Sequence, residues 1–295
     1  MSTLSQLVDE VISNLHGYVR DQEESTHLTI DATAADVSLT LASGAKVPGS
    51  GRFEIEDELI WVDAVDTTNN TVSVPPYGRG FDSTTAAAHT AGKRVICNPL
   101  FPRNVVRRAI NDTIQDAAGE LFAVGTYQFP YTAAKLAYTL PAAVNQVLWV
   151  SWQETGPSAV WRPVRTWRLD QAYGTTGAAA AVVIGDPITP GRTVNVVYTK
   201  FPTTLVNNAD DFTVSGLPST AQDVIVYGAC ARLLSYVDAS RVNTQSIESG
   251  AFTQGIPVGS AMNVSKQMYA MFRQRLQEER LRLLATFPTQ VHYSR

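Results

Sequence analysis

Four stretches with helical periodicity, at about residues 3–18, 103–122, 219–241 and 260–286, are separated by two long blocks patterned as strands. Helices this far apart in sequence bury their apolar stripes only by packing on one another or on copies of the chain. The β-rich blocks are then insertions. The fold class that follows is α+β: a small helical bundle of four helices with two inserted β-rich modules. The bundle takes residues 1–26, 99–124 and 217–287. A β-barrel-like module occupies 27–98, a small sandwich 125–216, and a terminal tail 288–295.

The first stripe is Leu4, Leu7, Val8, Val11, Ile12 and Leu15, with Thr3 and Gln6 at capping-box spacing. Pro102 opens the second helix, where a missing N–H is tolerated, and Val106, Ile110, Ile114, Ala117 and Leu121 are its stripe. Ser219 and Gln222 form another capping box ahead of Val226, Cys230, Leu233 and Val237. The last helix carries Met268, Phe272, Leu276 and Leu283 and ends at Pro288. Stripes of this kind are core.

Between the helices the period changes to two. Residues 27–30, Val37–Leu41, Phe53–Ile55 and Glu58–Val62 read as strands, and Asn69-Asn70 reads as the turn of a hairpin into Thr71–Val74. Further along, residues 146–150, 160–162, 166–169, 180–184 and 194–198 are short strands separated by turn residues, the pattern of a small sandwich.

Charged residues make up only 17% of the chain, against roughly 25% in an ordinary globular domain. Ala, Thr, Val and Ser take their place, which fits either an ordinary β-rich protein or one with much surface buried against partners. A net charge of −4 argues against nucleic acid as a tightly held ligand. Cys97 and Cys230 read as free thiols. The N-terminus lacks the basic and apolar regions of a signal peptide, and no apolar run reaches the roughly 18 residues of a membrane span.

No catalytic constellation, cofactor site or metal motif emerges. His16, His27, His89 and His292 are isolated from any HxxxH-type partner. Gly78-Arg79-Gly80 starts like a phosphate loop but reads as a turn. Glu54, Glu56 and Glu58 would share one face of a regular strand; a solvated sheet face is the simpler reading and a divalent-cation site the alternative. Asp210-Asp211 reads as a loop. Trp149 and Trp161 sit in apolar company, whereas Trp152 and Trp167 are candidates for an outward glycan platform.

Two stretches resemble a known family. Tyr77-Gly-Arg-Gly-Phe-Asp-Ser-Thr-Thr-Ala-Ala-Ala-His89, followed by Ala91-Gly92 and Val95 and preceded by Asp57-Glu58-Leu59-Ile60-Trp61-Val62, resembles a segment of small β modules in tailed-bacteriophage structural proteins. Ser83 stands where that pattern often has Gly. The order Trp161-Arg-Pro-Val, Trp167-Arg-Leu-Asp170, Gly191 to Tyr198, Leu217-Pro-Ser-Thr and Gly228 to Leu234 is similar to head-to-tail adaptor (connector) proteins of siphophages.

The resemblance implies a non-enzymatic virion component, assembled in the host cytoplasm and located at the neck. It implies a homo-oligomeric ring, a dodecamer, below the portal protein. The next neck protein (a stopper) or tail terminator would sit on its other face, and DNA would pass through without specific binding. It also implies a portal-docking segment, here Phe287, Gln290, Val291, His292, Tyr293 and Arg295. The rival readings are a stopper or other neck protein, or a glycan-binding tail module.

Overall fold

A computed structural model describes residues 2–18, 23–45, 47–155, 160–173, 179–245 and 260–288. The chain divides into two compact units, one of residues 1–4, 111–227 and 269–295, the other of 5–110 and 228–268. The fold is α+β, with four helices and four antiparallel sheets among the described residues.

In the 5–110 unit, helix α1 (Leu4–His16) precedes seven strands: β1 (Glu24–His27), β2 (Ser38–Thr40), β3 (Gly51–Ile55), β4 (Glu58–Val62), β5 (Ala64–Asp66), β6 (Thr71–Ser73) and β7 (Arg94–Cys97). They form a sheet ordered β1-β7-β3-β4 and a second ordered β2-β6-β5. Alternate residues Phe53 and Ile55 on β3, Ile60 and Val62 on β4, and Leu39 and Val72 from the other sheet close one apolar core. The outer edge of β4 is covered by the loop that follows: Trp61 N–H donates to Gly78 O at 2.8 Å and Phe81 N–H to Leu59 O at 2.7 Å.

Helix α2 (Arg103–Ala117) begins directly after Pro102, and Val106 and Ile110 are buried in this unit. Two helices contribute their nearer ends here, α3 (Gln222–Gln245) from Gly228 and α4 (Ser260–Thr286) up to Met268. Cys230 Sγ lies 3.9 Å from Val11 O, and Ser265 Oγ donates to Ala231 O at 2.7 Å. None of the described helices is long and apolar enough to cross a membrane.

The 111–227 unit holds β8 (Ala123–Pro130), β9 (Ala137–Thr139), β10 (Gln146–Gln153), β11 (Trp161–Pro163), β12 (Trp167–Tyr173), β13 (Ala179–Ile184) and β14 (Thr193–Lys200). The sheets β11-β10-β14-β8 and β12-β13-β9 bury Phe129, Tyr138, Val150, Val182, Val194 and Val196 between them. Asn111 fixes the chain after β14 by bonding Leu205 both ways, side-chain amide to carbonyl and backbone N–H to side-chain oxygen, each at 2.9 Å. The α4 portion of this unit buries Phe272, Leu276 and Leu283. Glu279, also buried, accepts from Thr220 Oγ1 at 2.7 Å.

Several local expectations shift. The first strand runs 24–27 rather than 27–30, with Leu28 making only a bridge to Leu41. The Asn69-Asn70 turn joins β5 to β6, not β4 to β6, and Asn70 takes the left-handed φ of 52° that such a turn requires. Helix α2 stops at Ala117, and the N–H groups of Glu120 and Leu121 both donate to Ala117 O in the turn that follows. A 3-10 turn, Ser219–Ala221, precedes the third helix, and Pro218 at its head makes no side-chain cap bond.

Candidate functional site

The chain does not run straight through the carboxylate cluster. It reverses at Glu56-Asp57, with Glu56 at φ 54°, so β3 and β4 form a hairpin in which Glu54 opposes Leu59 and Ile55 opposes Glu58. Glu54 and Glu58 therefore point to opposite faces of the sheet, and both are buried. The expectation of a shared solvated face is wrong, because the hairpin turn falls in the middle of the acidic run.

Glu58 faces the module core and organises the loop that follows β6. Its carboxylate accepts from Arg79 Nε at 2.7 Å, Arg79 Nη2 at 2.9 Å, the N–H groups of Gly80 and Ala87 at 3.0 Å each, and lies 2.8 Å from His89 Nε2. Arg79 reaches on to the carbonyls of Thr33 and Ala87, and His89 Nδ1 lies 3.0 Å from Glu56. Burial alone would raise the Glu58 carboxyl. The Arg79 fork, the Ala87 N–H, His89 and the Gly80 N–H more than offset that and hold it below its usual value.

The glycines around Arg79 are required by this geometry. A Cβ on Gly78 would meet Trp61 O at 2.5 Å, and Gly80 sits at φ 63° while donating to Glu58. Thr84 completes the loop, its hydroxyl accepting from Leu59 N–H at 3.1 Å and donating to Phe81 O at 2.8 Å. The sequence motif is thus the covalent trace of one buried ion cluster. The motif contains Glu58, Arg79 and His89 without any local pattern that pairs them; a Glu leading straight into the apolar run 59–62 is the one sequence signal of the cluster.

Glu54 faces the other way, toward α1 and α2. Its Oε1 accepts from Arg103 N–H at 2.6 Å, which satisfies an otherwise orphan donor in the first turn of α2. Burial pushes this carboxyl up to about 7, against the pull of the Arg103 N–H and guanidinium. Glu54 lines an open polar cleft together with Ser5, Glu56, Asp57, Lys93, Arg94, Ile96 and Arg103. Most charges here are paired. Lys93 bonds Glu56 at 2.5 Å, and Arg103 bonds Asp9 at 2.5 Å and Asp57 at 3.2 Å.

Of the expected docking residues, Phe287 is half-buried and stacks on Trp149 of β10, ring centroids 6.0 Å apart and planes 16° from parallel. Gln290, Val291, His292, Tyr293 and Arg295 lie outside the described residues. Three of the four tryptophans depart from expectation: Trp152 and Trp167 pack on the sandwich core and Trp161 on β11 is 40% exposed, whereas Trp149 keeps its apolar company against Phe287. The reason is that β11 is an edge strand of three residues, all exposed. Asp210 and Asp211 cap their own loop through the N–H groups of Val206, Asn207 and Thr213. Cys97 and Cys230 are buried, and burial pushes their thiols up to about 11 and about 12. Among the described residues, no group of three or more His, Cys, Asp or Glu is placed to hold a metal ion.

Against this geometry stand the comparisons with known proteins. A family model described as SU10 adaptor protein matches residues 83–283. The chain is also similar to solved structures of gene transfer agent particles. For the neck of an empty particle (C6 symmetry) the identity is 18%, covering 55% of this chain and 74% of the other, with a TM-score of 0.20. For the neck of a native particle (C12 symmetry) the identity is 19%, covering 55% and 79%, with a TM-score of 0.20. For the virion of a native particle it is 17%, covering 55% and 74%, with a TM-score of 0.19. No curated protein sequence matches the chain.

Proposed function

The chain belongs to the SU10 adaptor protein family, and from that premise we propose that it is a head-to-tail adaptor, a structural protein of the virion neck. The observation that carries this reading is the extent of the match, residues 83–283, which takes in the sandwich, all of α2 and α3 and most of α4. The side-chain chemistry is in keeping with it. The densest charged groups, around Glu58 and Glu279, serve to fix a loop and a helix.

In this reading the helical segments 1–26, 99–124 and 217–287 form the body of a closed ring, a dodecamer, below the portal protein. The modules 27–98 and 125–216 are insertions into that body. A stopper or tail terminator seats on the opposite face, and DNA passes through without specific contacts. A ring demands complementary patches on two sides of each copy. The segment from Phe287 to Arg295 docks into the portal, rooted by the Phe287–Trp149 stack. Part of its contact energy is consumed in ordering, and repetition around the ring compensates through avidity. The protein has no catalytic role in this account.

Truncation after Pro288 tests the docking assignment. The shortened chain is expected to melt with the full chain and to be lost from portal-containing heads. Retention on the portal at full occupancy would overturn the assignment.

A further inference from the structure

His89 is held between two carboxylates. Its side chain is 1% exposed, with Nδ1 3.0 Å from Glu56 Oε2 and Nε2 2.8 Å from Glu58 Oε2. Both carboxyls lie below their ordinary range: Glu56 through its bonds to Lys93 and His89, Glu58 because its burial is outweighed by Arg79, the Ala87 N–H and His89. Both are therefore ionised near neutral pH and can only accept. A neutral imidazole donates from one ring nitrogen and turns a lone pair to whatever faces the other. Here that lone pair would meet a carboxylate oxygen at hydrogen-bond distance, away from water. The charges around the ring favour the same answer. Asp31 and Asp36 flank Ala32, whose backbone pairs with His89, so with Glu56 and Glu58 there are four carboxylates against the two cations Arg79 and Lys93.

We propose that His89 is an imidazolium in the folded chain, donating from both ring nitrogens, and that this cation latches the 78–89 loop onto the outer edge of β4. The backbones of His89 and Ala32 exchange two bonds of 2.8 Å, and the ring ties the end of the loop to the β3–β4 hairpin through Glu56 and Glu58. The loop in turn occupies the edge of β4: Gly78 O accepts from Trp61 N–H, Thr84 Oγ1 from Leu59 N–H, and Phe81 N–H donates to Leu59 O. Loss of the second ring proton replaces one charge-assisted bond with a lone pair facing a carboxylate. The loop then loosens, and the edge groups of Leu59 and Trp61 are open to another strand. A free imidazole gives up that proton near pH 6.5. A proton that the folded chain keeps past that point stabilises the closed loop fully below it. The stabilisation is lost as pH rises further, by at most about tenfold per unit. The latch works the same way wherever the chain sits in a particle.

The test is nitrogen NMR of the imidazole rings in the full chain at about pH 7.5, where a free imidazole is mostly neutral, joined to hydrogen exchange of the Leu59 and Trp61 amides between about pH 6 and 9. Wild type, His89→Gln and Glu56→Gln are compared, with the exposed His16 and His27 as internal references. Wild-type His89 is expected to show two protonated nitrogens. Glu56→Gln removes a half-exposed carboxylate, and its His89 should show one protonated and one bare nitrogen. In His89→Gln, after correction for intrinsic rates, the Leu59 and Trp61 amides should exchange on the order of tenfold to a hundredfold faster than in the wild type at neutral pH. Their protection should no longer vary with pH, while the amides of β14 keep theirs. A bare nitrogen on wild-type His89 overturns the proposal, as does equal protection of Leu59 and Trp61 in His89→Gln and the wild type. Should His89→Gln fail to fold, the nitrogen pattern of the wild type and of Glu56→Gln decides alone.

Discussion

Replacing Glu54 by Gln is expected to stabilise the protein at neutral and alkaline pH. The carboxyl is pushed up from 4.5 to about 7 because burial disfavours its charge more than Arg103 favours it. A folded-state value above the unfolded one means that the native chain holds the extra proton. The associated stability is fully present below about pH 4.5 and is lost as pH rises through about 7. Across pH 5 to 8 the linkage removes about 2.5 kcal/mol from the wild type. The Gln variant carries no such dependence, and its side-chain oxygen still accepts from Arg103 N–H. The difference between the two proteins, followed by denaturant unfolding at pH 5, 6, 7 and 8, cancels every other titrating group. It should grow by about 2 kcal/mol in favour of the variant, somewhat under the full figure because the cleft admits water. A variant less stable than the wild type at pH 8 would refute the reasoning, since the charged carboxylate would then be worth more than its burial costs.

Glu58→Ala should behave oppositely, costing about 3–5 kcal/mol, because it strands the Arg79 guanidinium and three further contacts, from the Gly80 and Ala87 N–H groups and His89 Nε2; loss of hydrogen-exchange protection at the Gly80 and Ala87 amides would report it. Arg79→Lys should recover little of that stability, since an ammonium cannot span Glu58 and the carbonyls of Thr33 and Ala87 together, and a melting temperature equal to the wild type would contradict this. Glu58 is held below its ordinary range, so its contribution is present above about pH 4.5 and is lost as pH falls; Glu58→Gln should flatten the acid side of the stability profile. Asn111→Ala removes both bonds to Leu205 and should cost roughly 1–3 kcal/mol in denaturant unfolding, with no change in the exchange of the Gly80 amide.

The periodic segments were legible from the residues alone. Leu4 to Leu15 and Met268 to Leu283 are buried on the stripe their spacing requires, and Gln146–Gln153 and Thr193–Lys200 pair as adjacent strands. Strand existence followed from local alternation, and so did the turns at Gly80 and Asn70. What local pattern could not show was pairing across distance. Arg79 and His89 lie 21 and 31 residues beyond Glu58, and nothing short-range says they meet it. The acidic run misled for a related reason: a hairpin reversal at Glu56 needs only one left-handed residue, and a Glu there carries no glycine signal. The exposure of Trp161 depends on which strand lies at the sheet edge, a property of topology. The adaptor resemblance, read from motif order, agrees with the family match over 83–283.

The central claim is position in the particle, and cryo-electron microscopy of the neck tests it most directly. The account predicts this chain as a ring directly beneath the portal, with Phe287 to Arg295 inserted into it. A neck without this chain, or density for it at the tail tip, would contradict the adaptor assignment.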